Sequence, residues 1–214
     1  MQTVYFITGL GADKRTFSFL DLSFCKPVFV DWIVPLHKET MADYAARLRA
    51  TIPENNPIIV GLSFGGMLVT EMAKADNNIK AIIVSSNKTA SEFPFWLRLG
   101  KYFPVYKWVP SFFYNYCSIV TLWFLGAKGK EEKIVLRKII ADTDIHFTKW
   151  AIEAIMNWDN ETIPPNIIHI HGTADKLLPY MFVKPDLTLA GGEHLMIMDK
   201  ATEVSSLLKR IIVG

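Results

Sequence analysis

The chain has 214 residues, half of them hydrophobic, and 23 Lys and Arg against 21 Asp and Glu leave a net charge of +2. That length supports a sizeable core, and one domain with an insertion is the simplest organisation. Near-balanced charge, with no basic tract and no interleaving of aromatic and basic residues, argues against nucleic acid as a partner.

The N-terminal residues lack a charged n-region and a cleavage site, and residues 4–8 read as a buried first strand rather than a signal peptide. A helix is expected over residues 13–22, with Asp13 near its start, and a second strand over 27–32. Thr40 can cap a helix over 41–52 that presents Tyr44, Leu48 and Ile52 on one face. Residues 58–62 form the third strand, a helix follows Ser63 to about Ala75, and 81–85 form the fourth strand. No convincing strand is found from 87 to about 159. The pattern then resumes with a strand over 167–170, a short helix over 176–182, a short strand over 186–189 and a closing amphipathic helix over 195–213. This alternation predicts an α/β protein, doubly wound around a mainly parallel sheet of about six strands. The expected division is a core of residues 1–86 and 160–214 and a helical cap inserted at 87–159.

The insertion is chemically distinct. Thirteen aromatic residues fall between Ser91 and Leu125, nearly half of those in the chain, among them Phe93, Trp96, Tyr106, Trp108, Phe113 and Trp123. Most of them read as the core of the cap itself, although a cap over a catalytic face must also turn some apolar surface toward the pocket. The most apolar stretch, residues 111–127, contains Asn115 and is shorter than the roughly twenty apolar residues that span a bilayer. It reads as part of the cap, and no integral membrane segment is expected. Residues 128–133 read as a solvated hinge or loop.

The most informative segment is Gly61-Leu62-Ser63-Phe64-Gly65, between an apolar run and a helical pattern. G-x-S-x-G also arises by chance. In this context it reads as a nucleophile elbow, a sharp strand-to-helix turn whose glycines leave room for the backbone and whose serine hydroxyl projects from the sheet. The following helix aims its N-terminal N–H groups at whatever the serine attacks. A serine hydroxyl needs a base, and the base an orienting carboxylate. Of the five histidines, His194 follows the last strand in Gly191-Gly192-Glu193-His194, at the edge where doubly wound sheets gather reactive groups. Asp175 follows the preceding strand in His171-Gly172-Thr173-Ala174-Asp175, so the chain order is Ser63, Asp175, His194.

With these motifs in that order, the chain resembles a small member of the α/β-hydrolase superfamily over nearly all its length except the cap. In that superfamily antiparallel strands usually open the sheet, whereas here the sheet is expected to open directly on the first parallel strand. The resemblance implies an oxyanion hole made by the backbone N–H groups of Leu10, in the turn Thr8-Gly9-Leu10-Gly11, and of Phe64. Thr8 stands where a histidine is usual in that turn, which puts the local support of the turn in question. In such families the acid can instead follow the fourth strand, but Ser86 and Asn87 stand there, with no carboxylate before Glu92.

Other readings are weaker. Gly9-Leu10-Gly11 with Asp31 imitates a dinucleotide fingerprint, but Lys14 occupies the place of its third glycine. His169 and His171 lack a nearby third metal ligand and read as packing or hydrogen-bonding groups. Glu193 reads as a solvated neighbour of His194. Cys25 and Cys117 form no disulfide scaffold or metal pattern, which fits a reducing, cytoplasmic setting. The expected activity is that of a carboxylesterase-like serine hydrolase acting on a small, apolar ester or related acyl compound, with no metal or organic cofactor. A homo-oligomer is compatible with the sequence. The alternatives are a thioesterase, carbon–carbon hydrolase or lyase on the same fold, or a ligand-binding protein without activity.

Overall fold

The computed structural model describes residues 1–99, 102, 108 and 119–214. Tyr106, Phe113, Asn115 and Cys117, together with the side chain of Trp96, lie outside the described residues. Six strands form one sheet: β1 (Thr3–Ile7), β2 (Lys26–Phe29), β3 (Ile58–Leu62), β4 (Lys80–Val84), β5 (Ile167–Gly172) and β6 (Leu187–Leu189). Their order is β2-β1-β3-β4-β5-β6, and every pairing is parallel. The chain winds one way from β1 to β2 and the other way from β3 onward. This reversal falls between β1 and β3, whose carboxyl ends open the crevice where α/β sheets bind ligands.

The helices are α1 (Met41–Arg49), α2 (Phe64–Ala75), α3 (Phe95–Arg98), α4 (Ile119–Leu125), α5 (Lys130–Ala141), α6 (Ile145–Asn157), α7 (Met196–Asp199) and α8 (Ala201–Val213). The strand pleat divides the core in two. Tyr5, Ile7, Ile59, Ala81 and Ile83 face one side with residues of α1, α2 and α6. Val4, Phe6, Val60, Leu62, Ile82 and Val84 alternate with them and face α7 and α8. Burial of each such large side chain contributes about 1.5–3 kcal/mol. Both faces being covered explains why these strands read as apolar runs rather than as alternating patterns. Ten of the twelve residues of α2 are buried, so the helix after Ser63 is enclosed on nearly every side.

Several connections differ from expectation. The expected first helix is a six-residue 3-10 helix, Lys14–Phe19. Phe17 and Leu20, three residues apart, both enter the second core, a spacing that suits three residues per turn. The strand expected to reach Trp32 ends at Phe29, and Trp32 instead stacks on Phe147 at 4.8 Å between centroids. Between β5 and β6 only Tyr180–Phe182 is helical, following Pro179, which supplies no backbone donor. The closing helix is divided at Lys200 into α7 and α8. Residues 128–133 are not a loop throughout, since α5 begins at Lys130.

Between β4 and β5 the described residues contain helices α3 to α6 and no strand. Helix α6 sends Phe147, Ala151 and Ala154 into the first core, while Leu122 of α4 and Leu136 of α5 enter the second. Among the described residues, no helix is long and apolar enough to cross a membrane.

Candidate active site

Ser63 stands between β3 and α2 with φ 51° and ψ −118°, a conformation that a residue with a side chain adopts at a cost of about 1–3 kcal/mol. Its backbone is held from several sides. Its N–H donates to the Val84 carbonyl at 2.9 Å, and its own carbonyl accepts from Gly66 N–H at 2.8 Å and Met67 N–H at 3.2 Å. The Ser86 hydroxyl donates to that same carbonyl at 2.7 Å. The flanking glycines are needed for close approach. A Cβ on Gly61 would lie 2.5 Å from the Gly65 carbonyl oxygen, and one on Gly65 would lie 2.2 Å from that of Thr8.

The turn after β1 passes beside the serine. A Cβ on Gly9 would lie 3.2 Å from Ser63 Cβ and 3.8 Å from Ser63 Oγ. The Thr8 hydroxyl donates to the Ala12 carbonyl at 3.1 Å, and Ala12 N–H donates to Gly9 carbonyl at 3.1 Å. Threonine therefore supplies its own brace for the turn in place of the usual histidine. Among the described residues no acceptor occupies the N–H of Leu10 or of Phe64. For Phe64 this follows from its place as the first residue of a helix.

His194 lies on the loop between β6 and α7 and is buried, as is Asp175 on the turn after β5. His194 Nε2 is 2.9 Å from Ser63 Oγ, and His194 Nδ1 is 2.8 Å from Asp175 Oδ2. A carboxylate can only accept, so Nδ1 carries the proton and Nε2 is left to accept from the serine hydroxyl. Asp175 Oδ1 accepts from Leu177 N–H at 2.9 Å and Leu178 N–H at 2.8 Å. Burial alone would push the Asp175 carboxyl up. The charge and hydrogen bond of His194, the Leu178 N–H and the nearby His171 outweigh it, and hold the carboxyl below the usual carboxylate range. At neutral pH Asp175 is ionised.

His169 and His171 are fully buried on one face of β5. His171 Nε2 donates to the Leu178 carbonyl at 2.8 Å and lies 3.4 Å from Asp175 Oδ2, while its Nδ1 accepts from His169 Nε2 at 3.0 Å. Burial lowers both imidazoles below their ordinary value, so they are neutral, and His171 packs directly behind the acid. Among the described residues no three His, Cys, Asp or Glu side chains come together as a metal site. Of the groups after β4, Ser86 braces the elbow and Glu92 accepts from Lys88 N–H at 2.6 Å. Asp175 is therefore the carboxylate that meets His194. Glu193 is not a solvated neighbour. It is buried and ion-paired with Lys128 and Lys176. Its cover comes from a helix joint remote in sequence, which no local pattern announces. Ser86 carried only the signal of its position just beyond a strand end.

Aromatic rings crowd the residue after the serine. Phe64 contacts Trp32 at 5.9 Å and Trp150 at 6.0 Å between centroids, and Trp32 and Trp150 both contact Phe147. A cavity of about 1150 Å³ lies beyond them, lined by Trp32, Phe147, Trp150 and the turn at Gly11. Ser63, Asp175 and His194 do not line it. The hydrogen-bonded distances between those three residues, rather than this cavity, define the site.

No protein-family model matches the chain, and no curated protein is detectably similar to it in sequence. Solved structures are similar in fold. An esterase from Exiguobacterium antarcticum superposes with a TM-score of 0.73 at 13% identity, covering 100% of this chain and 92% of its own. A lipase-esterase related protein from Clostridium acetobutylicum gives 0.72 at 16% identity, covering 99% of this chain and 94% of its own. The enol-lactonase from Burkholderia xenovorans gives 0.69 at 13% identity, covering 100% and 92% respectively. Taken with the six parallel strands and the turn at Ser63, these likenesses establish that the chain has the α/β-hydrolase fold.

Proposed function

We propose that the protein is a serine hydrolase that cleaves an ester or related acyl bond of a small, apolar substrate. Ser63 Oγ attacks the carbonyl carbon as His194 Nε2 takes its proton. Asp175 holds the imidazole in the required tautomer and stabilises the imidazolium. The N–H groups of Leu10 and Phe64 receive the developing oxyanion. Collapse of the tetrahedral intermediate breaks the bond to the leaving group, which takes the proton from His194, and leaves an acyl-enzyme. Water attacks the acyl-enzyme by the same steps in reverse roles and returns the free serine.

The observation that carries this reading is the unbroken contact series Ser63 Oγ to His194 Nε2 to Asp175 Oδ2, at 2.9 and 2.8 Å. Residues 1–86 and 160–214 then act as the catalytic core, and residues 87–159 as a cap that sets substrate choice. In support of that division, the inserted segment meets the site twice: Phe147 and Trp150 of α6 pack on Phe64, and the Leu125 carbonyl accepts Leu195 N–H at 3.1 Å. A p-nitrophenyl ester series tests the activity. Turnover by the wild type and its loss in Ser63→Ala are expected, whereas undiminished turnover in Ser63→Ala would place the nucleophile elsewhere. A ligand-binding protein without activity would turn over no ester.

A further inference from the structure

We infer that Glu193 is a positioning residue for this reaction, fixing the loop that carries His194 to the acid turn and to the joint between α4 and α5; the inference rests on the Ser63, His194 and Asp175 reading. Glu193 immediately precedes His194, and its side chain is only 7% exposed. Oε1 lies 3.3 Å from Lys128 Nζ at the joint, and Oε2 pairs with Lys176, the residue after Asp175. One buried carboxylate thus links the loop of the base, the turn of the acid and the inserted segment. A carboxylate removed from water at this depth is tolerated only because two cations meet it.

The residue on the other side of His194 is held by the same joint. Leu195 N–H donates to the Leu125 carbonyl at 3.1 Å. His194 is therefore bracketed, before and after, by contacts to residues 125–128. The joint is shaped for this fit. Gly126 has φ +80°, and a Cβ there would lie 2.1 Å from Glu193 Cβ. Lys176 Nζ also sits 5.1 Å from the ring centroid of Trp123 on α4, so the acid turn touches the same helix. Seating of the joint and placement of the base are one structural event. Displacing a catalytic group by about 1 Å can cost on the order of a hundredfold in rate.

The test measures kcat, KM and the rate of Ser63 phosphonylation, using p-nitrophenyl butyrate and an organophosphonate, at a temperature well below unfolding of every variant. Glu193→Gln keeps the side-chain shape and removes the charge. Its kcat should fall about tenfold or more, with KM within about twofold and phosphonylation slowed in proportion. Gly126→Ala, which alters no reacting group, should act the same way. The double variant should lose less than the product of the two, because both loosen one contact. Glu203→Gln, which removes the exposed pair with Lys200, should leave kcat unchanged. Wild-type kcat in Glu193→Gln, with only a lowered Tm, would overturn the inference and make Glu193 a purely structural bridge. If Glu193→Gln does not fold, Gly126→Ala decides alone on the same terms. Ser63→Ala is run alongside. Activity in that variant would defeat the triad reading itself, whereas an inactive Ser63→Ala with a full-rate Glu193→Gln would defeat only the positioning role.

Discussion

Ser63 holds a left-handed backbone conformation that its neighbours impose on it. Its carbonyl is gripped by two amides of α2 and by the Ser86 hydroxyl, and the last of these is the grip a substitution can remove. Ser86→Ala should therefore cost about 0.5–1.5 kcal/mol of stability and lower kcat several-fold, since the elbow then relaxes away from His194. Urea unfolding and ester kinetics measured on one preparation would check both. A stability loss with unchanged kcat would mean that the elbow keeps its shape without this bond. Asp175→Asn preserves shape but offers His194 Nδ1 either oxygen or NH₂. It should lower kcat by about 10²–10⁴-fold with little change in KM. A comparable fall in His171→Asn is not expected, because His171 lies behind the acid rather than against the base.

Strand β5 carries two buried neutral imidazoles, and these make the stability of the molecule depend on pH. Both folded pKa values are depressed, chiefly by burial, so the unfolded chain binds more protons once pH falls below the ordinary imidazole value of about 6.5. Their contribution is complete above that pH and is lost as pH falls toward the depressed values. The depressed carboxyl of Asp175 acts in the same direction, but only in the more acid range near and below about 3.9. Unfolding free energy should accordingly drop by about 1–3 kcal/mol between pH 7.5 and 5.5. Urea midpoints at the two pH values would show it, and equal midpoints would mean that the pair is charged or hydrated in the folded state.

The same scale shows what was legible in the sequence. β3, Ser63 and α2 were readable because an apolar run, a glycine-flanked serine and a helical pattern all agree locally. The meeting of His194 and Asp175 beside Ser63 was readable because strand ends in such a sheet gather polar side chains on one edge. The extent of the helices around β6 was not, since α7 and α8 divide at Lys200 without a proline or glycine to mark the break. Glu193 was misread for a related reason. Its burial depends on Lys128 and on Gly126, which approach only after the inserted segment has packed.

At the scale of the whole molecule, the inserted segment meets the edge that carries Ser63 and His194 through α6 and through the α4–α5 joint. Under the proposed function this segment, rich in aromatic residues, acts as a cap and should prefer apolar acyl groups. Each well-buried methylene should gain up to about 0.8 kcal/mol, roughly fourfold in specificity. Extending an acyl chain by two or three carbons should then raise kcat/KM by roughly an order of magnitude before the pocket fills. A series of esters from acetyl to octanoyl measures this directly, and a series that is flat or falls steadily from acetyl would mean that the cap forms no apolar acyl pocket. The central claim is that Ser63 is a nucleophile activated by His194. Its most direct measurement is mass spectrometry of wild-type protein, Ser63→Ala and His194→Ala after treatment with an organophosphonate. One adduct on Ser63 in the wild type is expected, with none at any position in Ser63→Ala and strongly slowed labelling in His194→Ala. Labelling of another residue at the wild-type rate in Ser63→Ala, or an undiminished rate in His194→Ala, would contradict it.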